Sequence, residues 1–268
     1  MEQFTAGCIG TGIMGTALME AVIRAAGAER VAVCDADAAK AAAFARKTGC
    51  AAISSNRELA SRSDFLFLAV KPQYLQAVLD EISPAVGNGT IVVSMAAGVK
   101  LEFIKKHLDG HSRLVRIMPN TPAAVGEAMI AVAPDSSVPP ETVAELRTLL
   151  GPAGRTELTP ESLMDAVTAV SGSGPAYAYL FIEALADAAV RMGMSRALAT
   201  SYAAQTLKGA ACMVLETGTH PAVLKDGVCS PGGTTIAAVN TLEEKGFRAA
   251  VIAAALAAWE RSKELGKQ

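Results

Sequence analysis

Thr5-Ala6-Gly7-Cys8-Ile9-Gly10-Thr11-Gly12-Ile13-Met14-Gly15 is the stretch whose reading decides the fold. A short apolar run rich in β-formers, residues 5–9, passes directly into GxGxxG, and residues 17–25 then carry helical apolar spacing. The first glycine permits a tight turn, the second lets a pyrophosphate approach the backbone, and the third lets the helix pack on the strand. The N–H groups and positive dipole end of that helix suit phosphate. A bare tight turn would use the same glycines, but the strand before and the helix after favour the phosphate reading.

Outward from this motif the pattern repeats. Strands are expected at 30–34, 65–70, 90–94 and 113–118, with helices at 38–47, 73–82 and 101–107 between them. Strands alternating with helices of this length predict βαβ units and a parallel sheet. Two further strands, 128–133 and 156–158, flank a helix at 139–150. After Thr159 the strand signals stop, and helices are expected at 160–170, 175–192, 196–217, 221–225, 235–244 and 247–265. Thr159 before Pro160 and Gly174 before Pro175 are helix-start signals. The expected fold is α/β: an N-terminal Rossmann dinucleotide-binding domain, residues 1–158, followed by an all-helical domain, residues 159–268.

Composition removes several classes of function. With 24 Lys+Arg against 26 Asp+Glu, the 268-residue chain lacks the basic excess that nucleic acid requires. Hydrophobic residues make up 51%, yet the longest clean apolar run, 249–259, is far shorter than the roughly 20 residues of a membrane span. Residues 1–4 are not basic and lead into a strand, so no signal peptide is expected. The five cysteines are scattered without a CxxC pair, which reads as buried free thiols, no metal site and a cytoplasmic protein.

Several residues stand where a ligand would bind. Asp35 ends the second strand at the spacing expected of an acid on the cofactor ribose, where it would accept hydroxyl hydrogen bonds and repel a 2′-phosphate. It also precedes the helix at residue 38, so Asp35 or Asp37 can equally be a helix cap. Lys40 and Arg57 are near enough in sequence to neutralise a 2′-phosphate. The loops Ala69-Val70-Lys71-Pro72 and Ser94-Met95-Ala96-Ala97-Gly98 follow strands, where doubly wound sheets bind ligands. Lys71 there is a phosphate contact or an ordinary surface lysine. In the helical half, Leu224-Lys225-Asp226-Gly227-Val228-Cys229-Ser230-Pro231-Gly232-Gly233-Thr234-Thr235 launches a helix. The N–H groups of Gly233, Thr234 and Thr235 at that helix end suit a small carboxylate; a capped helix with a glycine-rich connection is the alternative.

That block, continued through Ala238-Val239-Asn240-Thr241-Leu242-Glu243, resembles the signature of the pyrroline-5-carboxylate reductase family. Met118-Pro119-Asn120-Thr121-Pro122 and Ser171-Gly172-Ser173-Gly174-Pro175-Ala176-Tyr177 resemble two further blocks of that family, in the same order, and residues 69–72 and the glycine turn match as well. The resemblance implies the last step of proline biosynthesis, reduction of 1-pyrroline-5-carboxylate to L-proline with NADPH or NADH. By similarity, Gly10, Thr11, Gly12, Ile13, Met14, Gly15, Asn56, Ala69, Val70, Lys71, Pro72, Met95, Ala96 and Ala97 line the cofactor. Ser230, Gly232, Gly233, Thr234 and Thr235 hold the substrate, with Thr235 closest to the ring nitrogen. Glu161 matches a position near the substrate, or is a first-turn helix acid favoured by the dipole. Two departures are Cys34-Asp35, where many NADPH-preferring members carry a small polar residue or Asn-Arg, and Gly227, where some carry Asn.

Imine reduction asks little of acidic or basic side chains. The protein must align the reactants, fix the carboxylate and hydrogen-bond the nitrogen, a task that suits the Thr235 hydroxyl. His107, His111 and His220 are expected to be structural. The alternatives are a 3-hydroxyacid dehydrogenase of the 6-phosphogluconate type, with Lys208 as its lysine although Cys212 stands where that family places Asn, and a non-catalytic NAD(P)-binding regulator. Residues 175–192 and 196–217 carry more small apolar surface than a domain of this size buries alone. A homodimer is therefore expected, and the resemblance implies interleaved helices and, in some members, rings of dimers.

Overall fold

The computed structural model describes residues 3–266. One eight-stranded sheet organises the first half, with strands β1 (Phe4–Ile9), β2 (Val31–Cys34), β3 (Ala51–Ala52), β4 (Ser63–Leu68), β5 (Ile91–Ser94), β6 (Leu114–Met118), β7 (Ala128–Pro134) and β8 (Gly154–Leu158) in the order β3-β2-β1-β4-β5-β6-β7-β8. The order reverses between β1 and β4, which is where such sheets bind ligands. Helices α1 (Ile13–Ala26), α2 (Ala38–Thr48), α3 (Asn56–Ser61), α4 (Pro72–Ile82), α5 (Leu101–His107) and α6 (Pro140–Leu150) connect the strands. Side chains alternate across the sheet. Ala6, Cys8, Val31, Val33, Phe65, Phe67 and Val93 share one core with residues of α1, α2 and α6, while Ile9, Ala32, Leu66, Leu68 and Val92 share the other with residues of α3, α4 and α5. Each fully buried Leu or Phe here is worth about 1.5–3 kcal/mol.

Four expectations need correction. The sheet is not wholly parallel, because β7 runs antiparallel to β6; residues 119–127 between them form only a 3₁₀ turn, too short for a crossover. Strand β3 and helix α3 were not expected, and both are short. Helix α1 begins at Ile13, directly from the glycine turn. The helix expected at 160–170 is broken into a 3₁₀ turn Glu161–Leu163, α7 (Met164–Val167) and a π turn Thr168–Gly172. There Asn120 Nδ2 donates to the Ser171 carbonyl at 3.1 Å, and Ser173 N–H reaches back to Thr168 O. Asn120 thus serves a carbonyl left free because Pro175, four residues on, has no N–H to give it.

Helices α8 (Gly174–Arg191), α9 (Arg196–Thr217), α10 (Pro221–Val228), α11 (Thr234–Glu244) and α12 (Phe247–Leu265) complete the chain. The last strand ends at Leu158, the expected domain boundary, but the compact units divide further on. One unit reaches Ser173 and is rejoined by the chain from Ala258; the other is Gly174–Ala257. The second unit buries Ala186, Ala189, Ala199 and Ala203 between α8 and α9, with Ile182 and Val190 partly buried beside them. It exposes Tyr179, Leu180, Met192, Tyr202, Leu215 and Ile252. Among the described residues no helix is long and apolar enough to cross a membrane, and the cysteines are free.

Candidate active site

The glycine turn has the geometry its spacing predicts. Gly10 has φ +104°, and a Cβ there would lie 2.8 Å from the Ala69 carbonyl oxygen. A Cβ on Gly15 would lie 2.1 Å from Gly10 O, so the third glycine lets α1 sit on the turn. Gly12 differs. Its backbone is ordinary (φ −71°, ψ −174°), and a Cβ there would meet nothing within 4 Å. No protein contact demands glycine at this position, and the space a side chain would fill is where a pyrophosphate fits. Gly12 is also the N-cap of α1 and no side chain caps that end, which leaves its first N–H groups for an anion.

Backbone hydrogen bonds set the neighbouring loops beside this turn. Gly10 N–H donates to Cys34 O, Ala69 N–H to Ile9 O, and Met95 N–H to Leu68 O. Gly10, Thr11, Gly12, Ile13, Met14 and Gly15, then Ala69, Val70, Lys71 and Pro72, and then Met95, Ala96 and Ala97 thus stand together at the carboxyl ends of β1, β4 and β5. The Lys71 backbone caps α4, and its side chain is exposed.

Asp35 is not the cap of α2. Asp37 is, accepting from Ala39 N–H at 3.1 Å. Asp35 instead fastens the glycine turn: Oδ2 accepts from Thr11 N–H at 2.6 Å and from Thr11 Oγ1 at 2.8 Å, while Oδ1 accepts from Asp37 N–H at 2.9 Å. Burial opposes its ionisation, but these donors and Lys40 outweigh it and hold the carboxyl below its usual range. Asp35 also lines a cavity of about 350 Å³ with Cys34, Ala36, Ser54, Asn56 and Glu81. Glu81, which the sequence reading did not single out, accepts from Asn56 Nδ2 at 2.8 Å. Neither expected cation lines this cavity: Lys40 pairs with Asp37 at 3.6 Å, and Arg57 Nε donates to Glu81 O at 2.8 Å.

Glu161 does not serve its own helix. Its Oε1 accepts the N–H of Leu101, the first residue of α5, at 2.6 Å and lies 3.6 Å from Nη1 of buried Arg116. Arg116 was also missed. Its signal was a lone cation in the apolar strand Leu-Val-Arg-Ile-Met.

In the second unit, Ser230, Gly232, Gly233, Thr234 and Thr235 form one turn into α11. Gly233 N–H is not open as expected; it donates to Ser230 O at 3.0 Å. A Cβ on Gly233 would lie 3.1 Å from Ser230 O and would displace the Ser230 hydroxyl, so the turn is tight at this glycine. Gly233 is the N-cap of α11 and contributes no side chain. The N–H groups of Thr234, Thr235 and Ile236 therefore lack intrahelical acceptors, and among the described residues neither threonine hydroxyl has a hydrogen-bond partner. Thr235 is not a capping residue.

The three histidines are engaged elsewhere. His107 Nδ1 lies 2.7 Å from Asp80, His111 Nε2 lies 2.9 Å from Thr90 O, and His220 Nδ1 caps α10 through Ala222 N–H. Lys208 is an exposed residue of α9.

Two family models match the chain. One, described as pyrroline-5-carboxylate reductase dimerisation, spans residues 161–265; the other, NADP oxidoreductase coenzyme F420-dependent, spans 5–98. The pyrroline-5-carboxylate reductase of Escherichia coli (strain K12) is 45% identical over 263 residues, covering 97% of this chain and 98% of its own. That of Methanosarcina acetivorans is 44% identical over 270 residues, covering 100% of both. A crystal structure of Plasmodium falciparum pyrroline carboxylate reductase with NADP bound superposes with TM-score 0.89 at 33% identity, covering 99% of each chain.

Proposed function

The chain belongs to the pyrroline-5-carboxylate reductase family, and from that premise we propose how its residues share the reduction of 1-pyrroline-5-carboxylate to proline with NADPH or NADH. The observation that carries the assignment is the start of α11, where two hydroxyls without a partner among the described residues stand beside uncapped N–H groups. Thr234 and the N–H groups of α11 hold the substrate carboxylate, with Ser230, Gly232 and Gly233 shaping the turn. Thr235 Oγ donates a hydrogen bond to the ring nitrogen. Donation there draws electrons from the C=N bond and makes its carbon more electrophilic. When bound, the reduced nicotinamide supplies the hydride to that carbon. The nitrogen takes its proton from water, directly or through the Thr235 hydroxyl that water then reprotonates, giving the secondary amine of proline.

Gly10 to Gly15 hold the pyrophosphate, residues 69–72 and 95–97 line the cofactor beyond it, and Asp35 and Asn56 face its adenosine end. Glu161, on the Leu101 N–H at the exit of the 95–97 loop, matches a family position near the substrate. The direct test follows NADH and NADPH absorbance with 1-pyrroline-5-carboxylate and, in parallel, with 3-hydroxy acids. Oxidation of cofactor by the imine alone supports this reading, and turnover of the hydroxy acids with NAD(P)⁺ instead overturns it.

With Asp35 and Glu81 lining the adenosine-end cavity and no cation among its lining residues, NADH is the preferred cofactor. Asp35→Ser is expected to raise the NADPH-to-NADH ratio of kcat/KM about tenfold, or about 1.4 kcal/mol. The substitution also loosens the Thr11 contact, but that loss falls on both cofactors and cancels in the ratio. An unchanged ratio reduces Asp35 to a fastener of the turn.

The enzyme is a homo-oligomer, assembled through the helical unit as a dimer or a ring of dimers, and works in the cytoplasm. The apolar residues that this unit exposes support the first statement. Light scattering at micromolar concentration is expected to give at least twice the chain mass; a stable monomer contradicts it.

A further inference from the structure

Arg116 is the largest fully buried side chain among the described residues, 2% exposed in the middle of β6. The sheet register sets it between Ser94 of β5 and Ala133 of β7. Its Nη1 lies 3.6 Å from Glu161 Oε1, while Nε and Nη2 have no hydrogen-bond partner. Burial disfavours the charged guanidinium, and the carboxylates of Glu161 and Asp165 offset that only in part. A buried cation so incompletely paired is weak support for a fold, and an apolar side chain of similar volume is often as stable or more so. Stability alone does not explain an arginine here.

The geometry around Glu161 does. The oxygen facing Arg116 also accepts the Leu101 N–H at 2.6 Å. Leu101 opens α5, whose N-cap Lys100 provides no side-chain hydrogen bond. The carboxylate of a distant segment thus closes the end of the loop that leaves β5. Glu161 is 32% exposed, so without a cation behind it the carboxylate is free to turn to water. Asp165, the second acid near Arg116, is held by Ser262 Oγ at 2.7 Å.

We infer that Arg116 is a positioning residue for the reaction: it holds Glu161 on the Leu101 N–H and thereby fixes the exit of the 95–97 loop. The inference rests on the reading above that this loop lines the cofactor.

The test uses Arg116→Met, Arg116→Lys, Glu161→Ala and the Met/Ala double variant of the full chain. The measurements are melting temperature, NADH affinity by fluorescence titration, kcat and KM, and hydrogen exchange of the Leu101 amide. Arg116→Met is expected to melt within a few degrees of the parent, exchange Leu101 at least ~10-fold faster, bind NADH several-fold more weakly and lose about 10²-fold in kcat/KM. Arg116→Lys should recover part of each loss, and the double variant should lose no more than the worse single variant. Losses that multiply in the double variant overturn the inference, because the two residues then act separately. Unchanged kcat and NADH affinity in Arg116→Met overturn it too, and the exchange data separate the causes. Faster exchange at Leu101 puts the fault in the cofactor reading of the loop; unchanged exchange puts it in the pin. Should Arg116→Met not fold, Arg116→Lys and Glu161→Ala decide the matter: a common loss of Leu101 protection and NADH affinity supports the inference, and unaltered values in either overturn it.

Discussion

Gly12→Val is expected to lower the melting temperature by no more than a few degrees while weakening both NADH and NADPH by at least ~100-fold, about 2.7 kcal/mol. The two halves of this forecast come from different facts. The Gly12 backbone suits any L-residue, and a Cβ there meets nothing within 4 Å, so the fold loses only the modest preference for glycine over valine at an N-cap. The same Cβ and its two methyls fill the space over the uncapped first turn of α1, where the pyrophosphate must reach the N–H groups. Gly15→Ala supplies the contrast. Its methyl would lie 2.1 Å from Gly10 O, so that variant loses stability outright, and binding falls with it. Calorimetry with each cofactor and thermal melts on both variants separate a ligand constraint from a packing constraint. Parental affinity in Gly12→Val would mean that the turn holds no phosphate.

Thr235→Val is expected to cut kcat by 10²–10³, the loss of about 2.7–4 kcal/mol that follows removal of one transition-state donor from a closed site. Valine keeps the shape of threonine and removes only the hydroxyl. Since Gly233 is the cap of α11 and the Thr235 hydroxyl has no hydrogen-bond partner among the described residues, the change breaks no hydrogen bond among them. Melting temperature and cofactor affinity should therefore stay close to those of the parent. Thr235→Ser should regain much of the rate because the donor returns. Unimpaired turnover in the valine variant would remove Thr235 from the chemistry.

The sequence revealed the fold where local pattern and long-range order agree. Residues 5–15 contain strand, turn and helix start in one run, and the alternating cores of β1, β2 and β4 follow from apolar runs too short for helices. Strand β3 is two residues long and carries no period. Helix α3 had a sign that went unread, Ser55 three residues before Glu58, and Ser55 does accept from Glu58 N–H at 3.3 Å. The 3₁₀ and π turns on either side of α7 follow no local pattern that the spacing of apolar residues displays. The site divided along the same line. The glycine turn was legible by spacing, whereas the roles proposed for Thr234 and Thr235 came from the family resemblance. The roles of Glu161, Arg116 and Glu81 depend on partners that only folding brings near, and their own neighbours in sequence suggest a helix acid, a strand interruption and a surface charge.

The alanine core of the helical unit has a consequence for how the chain comes to be folded at all. Ala186, Ala189, Ala199 and Ala203 bury one methyl each, and at about 0.8 kcal/mol per buried carbon they offset the backbone entropy of only a few residues, each costing about 1–2 kcal/mol. Most of the apolar surface of these helices is left uncovered within one chain. In the homo-oligomer proposed above, association is the closing step of folding and not an event that follows it. The midpoint of thermal unfolding is then expected to rise with protein concentration as mass action requires, because the helical unit of a dilute, newly made chain leaves its apolar faces uncovered until it meets another copy of itself.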